Sequence, residues 1–350
     1  MRVSGQAGPS RELDLAAQKD TQSDAAGQTT IIIPCRQIDL LTRRCVDRCI
    51  RACPGAAITV LPDEAPGDGQ TPAGVTVLPS GPVNPSAKRN LGARAAATEY
   101  IALIDNDAYP AAGWLAAAVS VLRSEPDLGA VGGPNVSPPD QPLARRIVGN
   151  ACRSFLVAGP CAYRKIAGAA ARDCDHLSSC NLVMRREEYL AVGGMDETVF
   201  IGDDTFLSAR LRDHGRRLRF ATGVLVYHQD RSLRGFVAQR IARGVDLLRV
   251  TAATRRKELF LHFLPAALLV FLLAGWVLLF YPGLRWIYVA VPGAYAAACL
   301  IESIRHSARA AEWPGTLLAI VVGNLGPGVG ILLRAIHMAP DLRRIYRNDT

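Results

Sequence analysis

From residue 29 onward the chain alternates buried-strand patterns with helical ones, and that alternation restricts it to few folds. TTIIIPC (29–35) reads as a strand, DLLTRRCVDRCIRAC (39–53) as a helix and AAITVLP (56–62) as a second strand. A loop dense in Gly, Pro and Asp follows, then a strand at VTVLPSG (75–81), a helix at PSAKRNLGARAAAT (85–98) and a strand at YIALID (100–105). This order implies a doubly wound α/β sheet of the Rossmann-like kind, whose ligands sit beyond the carboxyl ends of the strands. A further helix is expected at 111–125, and LGAVGGPN (128–135) reads as one short strand. Residues 136–178 are irregular apart from a helical stretch at 144–159, and a segment of that length is where recognition of a variable substrate is often built. SSCNLVMRR (178–186) resumes the sheet, and LRFATGVLVYHQ (218–229) supplies two strands or a hairpin.

The apolar residues, 49% of the 350, concentrate near the C-terminus. Leu259 to Tyr281 carries no formal charge and is long enough for the roughly 20 residues a spanning helix needs, so it is the expected membrane span. Trp286 to Ile301 is shorter. Thr316 to Leu333 is interrupted by Gly323, Gly326, Pro327, Gly328 and Gly330, and reads as a span, a re-entrant hairpin or a kinked pair. Three segments are expected over 258–338. Arg255, Arg256 and Lys257 precede the first and put the N-terminal domain on the cytoplasmic side of the inner membrane, whereas the basic tail at 339–350 favours an even number of crossings. Residues 231–257 read as an amphipathic juxtamembrane helix able to lie on the lipid surface, and 1–28 as a polar disordered leader.

The net charge of +9 suits anionic lipid and phosphorylated substrates. A nucleic-acid partner is not expected, because no basic block is interleaved with aromatics, which make up only 6%. Cys45, Cys49 and Cys53 share one helix face, as buried core thiols or as a metal site.

Four groups of residues could carry chemistry. Asp105 and Asp107 flank Asn106 where the strand YIALI stops, and paired carboxylates at a strand end suit Mg²⁺ or Mn²⁺, though loop aspartates also cap and solvate. Asp203 and Asp204 open an acidic helix; one can cap it, and two adjacent carboxylates raise each other's pKa so that one can serve as a base. His228 ends a strand, either as a metal ligand or as a satisfied polar group. Lys88 and Arg89 lie in a first helical turn, where a cation opposes the helix dipole unless a bound phosphate compensates or the face is merely solvated.

Together, IIIPCR (31–36), PSAKRNLG (85–92), IDND (104–107), CNLVMRREEYLAVGGMDE (180–197), GDDTFL (202–207) and VYHQDRSLRGFVAQRIARG (226–244) resemble a family 2 glycosyltransferase with the GT-A fold. The resemblance runs from about Thr29 to Gly244, with 29–230 as the catalytic domain. It implies an inverting, metal-dependent transfer from a nucleotide-sugar donor, UDP-linked by default, to a lipid-linked or polysaccharide acceptor of the cell envelope. It further implies donor contacts at Pro34, Arg36, Asp63, Lys88, Arg89, Asp105, Gln239, Arg240 and Arg243, metal contacts at Asp105, Asp107 and His228, and a base at Asp204 with Asp203 beside it. Where processive synthases carry a tryptophan this chain has Gly244, which favours a non-processive enzyme. LPDEAPGDG (61–69) keeps only Asp63 of the family's nucleobase-contacting acids. A nucleotidyltransferase is the rival enzyme, yet PCRQID is not the phosphate loop it would need. A fold-retaining scaffold without catalysis is the non-enzymatic rival.

Overall fold

The computed structural model describes residues 23–67, 69, 71–199, 201–254 and 263–340. The basic cluster at 255–257, the start of the 259–281 run, most of the leader and the tail from 341 lie outside them. The chain divides into two compact units: Met1–Asn135, Ala170–Glu197 and Leu207–Tyr227 form the first, and Val136–Ala169, Thr198–Phe206 and His228–Thr350 the second.

The first unit holds β1 (Thr29–Pro34), α1 (Leu40–Ala52), β2 (Ala57–Leu61), β3 (Thr76–Val77), α2 (Pro85–Ala95), β4 (Tyr100–Leu103), β5 (Ala108–Pro110), α3 (Trp114–Ser124) and β6 (Leu128–Gly132). After the second unit's first segment come β8 (Arg172–Asp173), β9 (Leu182–Arg185) and α6 (Arg186–Ala191), then β10 (Arg217–Phe220) and β11 (Val226–His228). Eight strands run in the order β3-β2-β1-β4-β9-β6-β10-β8. β1 pairs in parallel with β2 and β4, as the alternation implies, while β9 is antiparallel to both β4 and β6. The sheet is therefore mixed. Every residue of β1 is buried, as a central strand covered on both faces requires, so Ile31, Ile32 and Ile33 have apolar neighbours on either side.

The expected strand at 128–135 is broken. β6 stays in the large sheet, whereas β7 (Asn135–Val136) joins β5 and β11 in a second sheet of order β5-β11-β7. β10 and β11 are likewise not a hairpin, because β10 pairs in parallel with β6. Residues 23–28, read from the sequence as the end of the leader, are among the described residues. Residues 23–27 are helical, Ala25 and Ala26 are buried, and Arg123 Nη1 donates to Asp24 Oδ2 at 2.7 Å. Helix α1 starts where Asp39 accepts from the Thr42 amide at 2.9 Å and turns Cys45, Cys49 and Cys53 into the core. The hydrogen bond with Cys45, together with burial, pushes the Cys49 thiol well above its ordinary value, and burial does the same to Cys53. Cys49 and Cys53 are therefore protonated core thiols.

The second unit contains α4 (Leu143–Arg153), α5 (Phe155–Ala158), a 3-10 helix (Gly159–Lys165), the first residues of α7 (Asp203–Asp213), α8 (Leu233–Thr254), α9 (Leu264–Ala274), α10 (Arg285–His306) and α11 (Trp313–Ala335). The Gly-interrupted segment is neither a hairpin nor a broken pair: α11 is one helix with Pro327 inside it. Its glycines are what let α8 lie against it. A Cβ on Gly330 would overlap the Ile241 carbonyl, and one on Gly244 would overlap the Pro327 carbonyl. Pro327 has no N–H to give to the carbonyl four residues earlier, Gly323. Arg240 supplies that donor, with Nε to Gly323 O at 2.6 Å and Nη2 to Val157 O at 3.0 Å. Phe236, Ala242 and Val245 of α8 are buried, so the apolar face expected to rest on lipid is largely taken up within this unit.

Two stretches are long and apolar enough to cross a membrane among the described residues, Arg285–His306 and Ala310–Ala335. The run at 259–281, the expected span, is not one of them. Its described part is an α-helix that gives way to a 3-10 helix at Gly275, which leaves a shorter apolar helix.

Candidate active site

Neighbouring strands β2, β1 and β4 end at Leu61, Pro34 and Leu103, and the candidate residues of the first unit lie just past those ends. Asp105 and Asp107 follow β4 and are half-buried. Arg89 of α2 donates from Nη2 to Asp105 Oδ1 at 2.6 Å, and Asn106 Nδ2 donates to Thr42 Oγ1 at 3.1 Å. The two carboxylates are thus held on a braced turn. Cys180, just before β9, brings its thiol within 4.8 Å of an Asp105 carboxylate oxygen. Cys180 opens the motif CNLVMRREEYLAVGGMDE, which by itself does not mark the thiol as a neighbour of Asp105; the antiparallel register of β9 on β4 is what brings it there.

Lys88 and Arg89 are not displayed to an outside phosphate. Both are buried in α2, which is capped by Asn84 and begins with Pro85. The Lys88 ammonium donates to the Cys35 carbonyl at 2.6 Å and the Leu61 carbonyl at 3.3 Å, and pairs with the Asp63 carboxylate. Asp63 is tied in turn through its amide to the Arg36 carbonyl at 2.9 Å. The expected donor residues therefore include two inward cations that each fix one expected carboxylate. The Pro34 ring closes β1 in a buried position, and the Arg36 side chain is exposed. Removing a buried cation strands its partners. Lys88→Met is accordingly expected to lower the unfolding free energy by about 3 kcal/mol, read from chemical denaturation.

Asn90, the next residue of α2, accepts from the Tyr189 hydroxyl at 2.5 Å and the Met195 amide at 2.9 Å, and donates to Glu197 Oε1 at 2.9 Å. KRNLG thus fastens α2 to the segment GGMDE, a role that the basic residues around Asn90 concealed.

In the second unit the turn at Gly202, with φ +77°, leads into α7, which opens on Asp203 and Asp204. Asp204 Oδ1 accepts from the Thr205 amide at 2.7 Å, so it does serve the helix start. It is partly exposed by area yet closely surrounded by protein. Burial and the adjacent Asp203 raise its carboxyl to about 6, against the pull of Arg164 and Arg243. A carboxylate poised there can accept a proton near neutral pH. Gln239 is half-buried and Arg243 exposed on α8, whereas Arg240 is committed to the backbone of α5 and α11. Arg164, whose side chain no motif marked, is one of the two cations that pull the Asp204 pKa down. His228 is the last residue of β11 and is half-buried.

A mixed doubly wound sheet with carboxylates beyond its strand ends is the arrangement seen in GT-A glycosyltransferases. Residues 26–246 match the family described as glycosyltransferase like family 2, and the chain belongs to that family. Over 163 residues it is 32% identical to a pre-mycofactocin glycosyltransferase of Mycobacterium tuberculosis, found in two strains of that species. The match takes in 46% of this chain and 33% of the relative, so the chain spans about a third of the length of the curated relatives it matches. Among solved structures it resembles a mannosyltransferase from Pyrobaculum calidifontis in complex with GDP-Man and Mn²⁺. The TM-score is 0.59 at 20% identity, over 90% of this chain and 96% of that one.

Proposed function

We propose that the chain is an inverting glycosyltransferase that passes a sugar from a nucleotide-sugar donor to a lipid-linked or polysaccharide acceptor at the cytoplasmic face of the inner membrane. The observation that carries the reading is the family match over 26–246, within which Asp204 has its carboxyl pushed up to about 6 by burial and Asp203 against the pull of Arg164 and Arg243. Asp204 takes the proton of an acceptor hydroxyl. The freed oxygen attacks the anomeric carbon from the side opposite the diphosphate, and the bond to the nucleoside diphosphate breaks in the same displacement. Asp203 keeps the Asp204 pKa high, and Arg243 contributes positive charge beside it.

The donor set at 105–107 fits a hard divalent cation, because both groups are carboxylates and both retain access to solvent at a strand end. Asp107 and Asp105 would hold Mn²⁺ or Mg²⁺; such a cation, when bound, neutralises the departing diphosphate. Arg89 keeps Asp105 oriented through one oxygen. The Mn²⁺ in the Pyrobaculum complex supports this reading of the donor set. UDP is the starting choice of donor, and GDP-mannose, which that enzyme binds, is the second candidate.

Membrane association is supported by α10 and α11 and by bulky apolar side chains exposed on the C-terminal helices, among them Phe280, Trp286 and Val289. Among the described residues two of the three expected segments are helices of sufficient length. Gly244 supports single rather than processive addition, since its close approach to α11 leaves no room for the processive enzymes' tryptophan.

The test is release of nucleoside diphosphate from a panel of nucleotide sugars, using membranes that contain the protein with Mn²⁺ or Mg²⁺. Turnover of one donor that requires the cation is expected. Asp107→Asn should raise the Mn²⁺ concentration needed for half-maximal turnover at least about 10-fold. Turnover that is insensitive to chelation, or an unchanged Mn²⁺ requirement in Asp107→Asn, would refute the metal assignment.

A further inference from the structure

Asp230, two residues beyond β11, is 4% exposed and is the hub of a polar network inside the second unit. Lys165 Nζ donates to its Oδ1 at 2.8 Å and Gln141 Nε2 to its Oδ2 at 2.6 Å. Its amide donates to Gln141 Oε1 at 3.2 Å, and its carbonyl accepts from Arg145 Nη1 at 2.6 Å. Gly149 of α4 completes the enclosure, because a Cβ there would overlap Asp230 Oδ2. All these partners come from 136–169, the segment without motifs. An ion pair this deeply buried returns little net stability, since desolvation of both charges offsets their attraction. What it supplies is geometry.

The pair grips the last residue of the 3-10 helix Gly159–Lys165, and the residue before it is Arg164. We propose that Asp230 is a positioning residue for the transfer reaction: by holding Lys165 it fixes the turn that presents Arg164 to Asp204. The proposal rests on the reading of Asp204 as the base. Asp203, Arg164 and Arg243 are among the charged groups that act on Asp204, and the two arginines pull its pKa down against burial and Asp203. Once Asp230 is neutralised, Lys165 loses its anion and the turn is released. Arg164 then screens Asp204 less, Asp204 keeps its proton to higher pH, and the acid limb of the rate profile moves upward. Loss of one opposite charge accounts for a shift of about one pH unit.

The experiment uses the full chain in membranes, as wild type, Asp230→Asn, Lys165→Gln and the double variant. Hydrogen exchange over 159–166 is read first. Nucleoside diphosphate release is then followed against pH with the nucleotide sugar that wild type turns over, taken from a panel including GDP-mannose and UDP-glucose. Faster exchange at 159–166 is expected in both single variants, with the acid limb shifted up about one unit and the high-pH rate retained. The double variant removes the unpaired buried charge, so it should regain thermal stability and keep the shifted limb. Unchanged exchange overturns the proposal. So does a double variant that regains both stability and the wild-type limb, because the pair would then be structural alone. If wild type has an acid limb that Asp204→Asn leaves unaltered, it is the base assignment that fails, and the exchange data still report whether Asp230 holds the turn.

Discussion

Asp204→Asn abolishes nearly all transfer while leaving the protein folded: turnover falls by roughly 10²- to 10⁴-fold, the contribution of a positioned general base. The amide keeps the acceptor oxygen that meets the Thr205 amide, so the start of α7 is preserved. The same substitution should raise the melting temperature at pH 7. Asp204's folded pKa, about 6, lies above the ordinary carboxylate value of 3.8, so ionising it costs folding free energy above that range. In this pH dependence the raised carboxyl is a liability at neutral pH, and the liability disappears as pH falls from 6 toward 3.8 and the folded protein binds a proton. An asparagine is never charged and removes it at every pH. For wild type, kcat/KM should drop below pH about 6 as the base is protonated. A variant that both melts lower and retains more than a tenth of wild-type turnover would contradict the assignment.

Gly244→Ala should have a large effect on stability. The Pro327 carbonyl occupies the volume the new methyl needs, and the obstacle is main chain, which cannot swing aside as a side chain can. Overpacking of a close-packed site costs about 1 to 3 kcal/mol or more, and separating α8 from α11 would also pull Arg240 from the Gly323 carbonyl. Thermal melting of the protein in detergent, followed by the near-ultraviolet signal, reads the loss. Gly215→Ala makes a useful contrast: its φ of +75° strains any L side chain, but nothing crowds its Cβ, so it should cost less. Equal losses in the two variants would mean that α8 and α11 are not in backbone contact.

The first unit was largely legible because local patterns and tertiary demands coincide there. A run such as TTIIIP is apolar on both faces and ends on a proline, which suits a central strand that stops at a ligand-binding edge. IDND was legible for the same reason, as polar groups placed where buried strand residues run out. The long-range register was not legible: β9 inserts antiparallel between β4 and β6, and only that insertion carries Cys180 to Asp105. The cations of KRNLG misled because residue type says nothing about direction. Lys88 and Arg89 look like a phosphate cradle in sequence and are buried carboxylate partners in the fold. The C-terminal third misled in the opposite sense. Glycine and proline weaken an isolated helix, and in α11 they instead permit contact with α8, so the most interrupted apolar segment became the longest of them.

Arg240 and Pro327 have a bearing on how this chain can change. The proline creates a carbonyl that needs a donor, and the arginine is that donor. An ordinary residue at 327 would restore the helical N–H, leaving the guanidinium with a competitor; loss of Arg240 alone would leave the carbonyl without a donor. The two positions are therefore expected to drift as a linked pair, with relatives that lack one also lacking the other. A comparison of closely related sequences at just these two sites would read that linkage directly.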